Sequence, residues 1–202
     1  MFYRIIASAL LLLTVPLVCA QTNVIAFVQD NMANDFRQAQ VMEAKAEAQR
    51  LGLNFIYTDA QGQTSRLLNQ LNEMIDKKVG VIILGTNDDK AVVPVVARAE
   101  AAGVRVVVLD RGISGKDFTS FINSDNVKIG SISAKKKKKK LKGKGTILLF
   151  EGLQTADVTH LRTKGFVDGI AKFPEIRLLR RTGNYLRKDA VLETEKLYAA
   201  GI

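Results

Sequence analysis

The chain has 202 residues, 47% of them hydrophobic, with a formal net charge of +10 and a single cysteine. That apolar content supports a packed core and excludes wholesale disorder, and the lone Cys19 excludes a disulfide framework or a thiolate metal site. The charge does not mark a nucleic-acid protein, because the lysines at 135–140, 142 and 144 supply eight of the ten net charges from one local tract.

The first twenty residues read as a secretory signal. Arg4 supplies a positive start, Ile5 to Val18 an apolar run, and Val18-Cys19-Ala20 a small-residue cleavage site before Gln21. The apolar run is shorter than the ~20 residues that span a bilayer. Pro16-Leu17-Val18 lacks the small residue expected before a lipid-modified cysteine. Export to the periplasm, without disulfides, is the expectation.

From Asn23 strands and helices alternate. Val24 to Val28 reads as a strand, then Asp35 to Leu51 as a helix whose apolar stripe is Phe36, Ala39, Ala44, Ala48 and Leu51, stopped by Gly52. Leu53 to Tyr57 is the next strand. Thr64 or Ser65 is expected to cap a helix carrying Leu67, Leu68, Leu71 and Ile75. After the strand Val79 to Leu84, Asp88 or Asp89 opens a helix running to Gly103, with Pro94 expected to distort its first turns. Val104 to Leu109 is an apolar run broken only by Arg105, and reads as a strand buried on both faces. It ends in Asp110, Arg111 and Gly112. Ligands of open α/β sheets bind beyond the carboxyl ends of such strands, and a carboxylate beside a guanidinium suits a ligand that both donates and accepts, such as a sugar. A plain structural ion pair is the competing reading.

Thr119 to Ile122 is a short extra strand. A helix begins near Val127 and enters the lysine tract. Thr146 to Phe150, Asp157 to Phe173, Ile176 to Leu179 and Lys188 to Ala200 then alternate strand, helix, strand, helix. Strands joined by helices of this length imply right-handed βαβ units and parallel sheets. The expected organisation is a signal peptide over residues 1–20, an N-terminal α/β lobe over 21–124, and a partial C-terminal α/β lobe over 125–202. Two strands are too few to bury both faces of a second sheet, so the second lobe is expected to be incomplete.

Six adjacent lysines cannot present an apolar helix face, and like charges at i,i+4 repel. The tract is therefore expected to be a damaged helix, with a patch for polyanions or membrane surfaces as the alternative. Lys142-Gly-Lys-Gly-Thr146 lacks the spacing of a phosphate loop and precedes a strand.

Asn34-Asp-Phe36, Leu109-Asp-Arg-Gly112, Ser124-Asp-Asn126, and Arg162 before Gly165-Phe166 form an ordered set. In that order, behind a signal peptide, the chain resembles the ribose-binding type of periplasmic sugar-binding proteins, the type I receptors of ABC importers. The resemblance runs from about Asn23 to the last residue. It implies two Rossmann-like lobes with parallel sheets flanked by helices, joined by three crossovers and closing on a monosaccharide by hinge bending. It also implies roles for single residues. Asn34 would bond a hydroxyl and Phe36 would lie on the sugar's C–H face. Asp110 would accept from two hydroxyls, with Arg111 donating beside it. Arg162 would clamp from the second lobe, Tyr185 would be a second aromatic plate, and Asn126 would serve as hinge or support.

The chain departs from the family in Arg37, where ribose binders carry another aromatic, in the lysine tract, and in length, since the family continues for roughly another third. The partners implied are a monosaccharide or polyol, an ABC permease and a chemoreceptor, with the protein a monomer and no cofactor. A lac-type repressor core would need a helix-turn-helix where the signal peptide stands. An enzyme is not expected, because no Ser/His/Asp set, metal-spaced cluster or dinucleotide fingerprint is present, and His160 stands without a cluster of ligands.

Overall fold

The computed structural model describes residues 22–201, so the expected signal segment and Cys19 lie outside the described residues. The chain folds as an α/β protein in which every strand pairing is parallel. Its first part runs β1 (Thr22–Gln29), α1 (Asp35–Arg50), β2 (Asn54–Asp59), α2 (Thr64–Asp76), β3 (Val79–Gly85), α3 (Val93–Ala101), β4 (Arg105–Leu109) and β5 (Ser120–Ile122). These strands form a sheet in the order β2-β1-β3-β4-β5. The second part runs α4 (Asn126–Leu141), β6 (Gly145–Glu151), α5 (Asp157–Ile170), β7 (Ile176–Thr182) and α6 (Arg187–Ala199), with β6 and β7 forming a two-stranded sheet. We refer to the two parts as the first and second lobes. Among the described residues no helix is long and apolar enough to cross a membrane.

The centre of the first sheet is β3, flanked by β1 and β4. β4 is less enclosed than its sequence suggests, since Arg105 is exposed and only Val106 and Val108 are fully buried in it. The core packs Leu67, Leu71 and Met74 of α2 and Val95, Val96 and Ala99 of α3 against Val28, Ile82, Leu84 and Val108. Pro94 does not distort α3. The helix starts later than expected, at Val93, so the proline falls in the first turn, where no intrahelical N–H is needed. Asp88 instead caps a preceding turn by accepting from the N–H groups of Lys90 and Ala91. α2 begins at Thr64 behind Gln63, with no side-chain cap.

Two expected features of the helices need correction. The buried side chains of α1 are Arg37, Val41 and Ala48, so its inner stripe is turned from the expected one and leaves Phe36 59% exposed. The lysine tract forms a regular helix. α4 meets α5 through every fourth side chain, Asn126, Gly130 and Ala134, and the next in that row is Lys138, whose Nζ lies 4.4 Å from the centroid of Phe173. One lysine stem therefore serves the seam while the others stay in water.

The two helices approach at backbone distance. A Cβ on Gly165 would lie 2.0 Å from the carbonyl oxygen of Val127, and one on Gly130 would lie 2.1 Å from that of Arg162. Gly165→Ala should force the helices apart and destabilise the chain by about 1–3 kcal/mol, as overpacking does. Urea unfolding checks this, with Ala156→Gly as a comparison that leaves the α4–α5 contact intact.

Candidate functional site

The carboxyl ends of β1 and β4 bring four charged side chains together. β1 ends in Gln29 followed by Asp30, both buried. β4 ends in Asp110 and Arg111. Asp110 adopts φ +67°, a left-handed conformation unusual for a residue with a side chain, while its N–H donates to the carbonyl of Ile122. Arg37 enters from the first turn of α1, whose start is fixed by Asn34: its Oδ1 accepts from the Arg37 N–H at 3.0 Å.

Arg37 is only 1% exposed. Its Nε lies 3.7 Å from Asp30 Oδ1, its Nη1 lies 3.4 Å from Asp110 Oδ2, and Nη1 also donates to Gln40 Oε1 at 2.9 Å. Arg111 Nη1 lies 3.8 Å from Asp30 Oδ2. Asp30 thus stands between two buried guanidinium groups. Burial raises its carboxyl above the usual carboxylate range against the pull of Arg37 and Arg111. Burial, then repulsion from Arg37, lowers Arg111 to about 10. Arg37 Nη2 and Arg111 Nε and Nη1 are buried without a hydrogen-bond partner.

The second lobe closes over this cluster. The Arg111 guanidinium sits 4.6 Å above the ring centroid of Tyr185, a cation–π contact between lobes. Tyr185 follows β7 with φ +59°, and its hydroxyl pairs with Thr159 Oγ1 at 2.9 Å. Arg162 Nε donates to Asn126 Oδ1 at 2.8 Å, while Asn126 Nδ2 donates to the Ser124 carbonyl at 3.0 Å. Asn126, buried at the start of α4, thereby aims Arg162. Further loop contacts join the lobes. Thr155 Oγ1 donates to the Asn87 carbonyl at 2.6 Å, and the Asp89 N–H donates to the Thr155 carbonyl at 3.1 Å. Asp157 accepts from the Gly112 N–H, and its carboxyl is raised by burial and, less strongly, by the like charges of Asp89 and Asp110.

Between the lobes lies a cavity of about 210 Å³ lined by Asn34, Phe36, Arg37, Asp110, Arg111, Val158, Arg162 and Tyr185. The six residues that the resemblance singled out for ligand contact therefore line one space, with Asn126 behind Arg162. Sequence reasoning treated Arg37 only as a departure and overlooked Asp30. The signal for Asp30 was there: it ends an apolar strand as Asp110 does. A larger cavity of about 540 Å³ also opens between the lobes, lined by Asn31, Met32, Asp59, Leu153, Leu186 and Asp189 among others. It has no guanidinium in its wall, so the smaller, charged cavity is the candidate site. His160 lies outside it, exposed and hydrogen-bonded at 2.9 Å to the Gln154 carbonyl. Among the described residues no cluster of His, Cys, Asp or Glu could hold a metal ion.

Asp30→Asn should leave two buried guanidinium groups facing each other across a neutral amide. The expected loss is about 3–5 kcal/mol of folding stability, as for a broken buried ion pair. Urea denaturation reads it, and Glu73→Gln, which breaks only an exposed i,i+4 pair with Lys77, should leave the midpoint where it is.

The family of periplasmic binding protein domains matches residues 25–202. The chain is 33% identical over 121 residues to the ribose import binding protein of Bacillus subtilis, covering 59% of this chain and 39% of that relative. It is 27% identical over 192 residues to the D-apiose import binding protein of Paraburkholderia graminis, covering 93% and 62%. A solved structure of an ABC transporter solute binding protein from Mycobacterium smegmatis, with bound glycerol, superposes with a TM-score of 0.83 at 30% identity, covering 89% of this chain and 62% of that one. The chain thus spans less than two thirds of the length of these relatives.

Proposed function

The chain belongs to the family of periplasmic binding protein domains, and on that premise we propose that it captures a monosaccharide or polyol between its lobes and delivers it to an ABC permease. One observation carries the reading: acceptors, donors and aromatic faces from both lobes line a single cavity of about 210 Å³. A sugar presents C–H faces that suit aromatic rings and edge hydroxyls that suit carboxylate, amide and guanidinium groups.

In this reading Asp110 accepts from ligand hydroxyls, and Arg37, whose Nη1 lies 3.4 Å from its Oδ2, holds it in place. Arg111 and Arg162 donate from opposite lobes, and their geometric forks suit ligand oxygens. Phe36, exposed on the rim of the first lobe, lies against the ring. The carbonyl oxygen of Asn34 is occupied in capping α1, which leaves its NH₂ to donate to the ligand. Tyr185 plays a less direct part than a simple stacking plate, because Arg111 lies over its ring. It holds that guanidinium in the closed form.

Closure follows from the same geometry. The lobes, residues 21–124 and 125–202, pivot at Asn123–Asn126, and a ligand touching both favours the closed form by its additional contacts there. The closed form is what an importer, and a chemoreceptor, would recognise. The protein acts in the periplasm as a monomer and performs no chemistry on its ligand; the import-binding names of its relatives support the last of these.

A ligand that binds only the folded chain raises its melting temperature. A melt screen against pentoses, hexoses, furanoses and polyols should find one class that does so. Asp110→Ala should weaken that ligand by about 2–5 kcal/mol, or some thirtyfold to several thousandfold. A cooperative melt that no member of the panel shifts would sink the proposal.

A further inference from the structure

Eight lysines crowd the end of the second lobe that lies away from the cleft. α4 runs from Asn126, beside the site, to Leu141, and β6 returns from Gly145 toward the cleft. Lys135, Lys136, Lys137, Lys139, Lys140, Lys142 and Lys144 are exposed there, and Lys138 is half-buried against Phe173. Lys172 and Arg177, at the neighbouring ends of α5 and β7, extend the same pole and are exposed too. None of these ten cations forms an ion pair with a carboxylate among the described residues; Glu175 is the acidic side chain in the adjoining turn, and its backbone carbonyl accepts from Gly145 N–H. Three exposed lysines elsewhere are paired within their helices: Lys77 with Glu73, Lys164 with Asp168 and Lys196 with Glu193.

So much unbalanced charge costs the folded chain self-repulsion, which an anionic surface would relieve. The make-up of the pole distinguishes among anions. Nearly all its cations are lysines, compact point charges without the planar fork that reads bases or phosphates bidentately. Along α4 and the turn into β6 it offers no aromatic face for base stacking, since Phe173 lies beneath Lys138. It does offer an apolar pair. Ile132 is 47% exposed and Ile129 38%, and the helical row 129, 132, 136, 139 runs from these isoleucines directly into the lysines. A helix face of exposed aliphatics continuing into lysines suits the interface of a bilayer.

We propose that α4 and the basic pole form a docking surface for an anionic phospholipid bilayer. The lysines lie against the headgroups, and Ile129 and Ile132 reach the acyl boundary. None of these lysines or isoleucines lines the ligand cavity, so attachment and ligand capture do not compete for residues.

Co-sedimentation of the full chain with vesicles tests this. Vesicles of one part phosphatidylglycerol to two parts phosphatidylcholine should carry the protein down at low salt and release it as salt rises past the point where the Debye length falls to about 3 Å, near 1 M. Changing Lys135, Lys136, Lys137, Lys139 and Lys140 to Gln spares the Phe173 contact, and should weaken binding by about fivefold per lysine, more than a thousandfold in all. The matching set of Lys→Arg changes keeps the charge and should bind like the unmodified chain. Equal sedimentation with pure phosphatidylcholine, or undiminished binding of the glutamine variant, overturns the proposal. So does stronger retention on a single-stranded oligonucleotide than on the vesicles at the same salt, which would make the pole a nucleic-acid surface.

Discussion

The structure of the site depends on one arrangement: a buried aspartate, Asp30, held between two buried guanidinium groups, those of Arg37 and Arg111. Each group would be costly alone in a low-dielectric interior, and the cost is tolerable only while the opposite charges stay within a few ångströms. That requirement ties the ends of β1 and β4 to the first turn of α1. It also accounts for the left-handed backbone at Asp110, which turns the chain so that the aspartate meets Arg37 while the adjacent Arg111 reaches back to Asp30. Strain of this kind survives where surrounding contacts over-determine it. Three N–H-bearing nitrogens of the two arginines are buried without a hydrogen-bond partner. A buried donor without an acceptor is an incomplete interaction, a cost the cluster carries alongside its ion pairs.

The second lobe supplies its share by different means. Its core is small, built on Ala134, Ile147, Phe166, Ile170 and Ile176. What sets Arg162 in place is the glycine-mediated approach of α4 to α5, which brings Asn126 of one helix within hydrogen-bond distance of Arg162 on the other. The seam recurs every fourth residue, so it constrains few positions. This is why a run of lysines fits the helix: it needs to contribute only Lys138 to the seam, and a lysine stem is apolar enough to lie on Phe173.

The parts of this molecule legible in its sequence were those governed by local rules. Alternating apolar strands and amphipathic helices exposed the α/β class and the order of elements, and the end of β4 drew attention to Asp110 and Arg111. Reading failed where a side chain's environment is set by distant chain. Arg37 lies on the inner face of α1 because Asp30 and Asp110 are there to receive it, and nothing within its helix announces those partners. Phe36 looked like core by spacing, yet rotating the stripe by one residue to bury Arg37 puts the phenyl ring in solvent at the rim of the cleft. Pro94 was misjudged for a simpler reason: the helix start was placed some residues too early, and the same proline that would break a helix interior is at home in a first turn.

Charge is used in opposite ways at the two ends of the second lobe. At the cleft, every cation stands near a carboxylate, an amide or an aromatic face, and removal from water makes those contacts directional and strong. At the far pole the cations are hydrated and unpaired, so their field is diffuse and easily screened. Events at the cleft should therefore be nearly indifferent to ionic strength, and events at the pole governed by it. The separation is physical as well as energetic, since about two and a half turns of α4 lie between Arg162's anchor at Asn126 and Lys135, the first of the crowded lysines. One helix thus carries at its start the residue that aims Arg162 and at its end a crowd of lysines, with a glycine and an alanine between them holding it to α5.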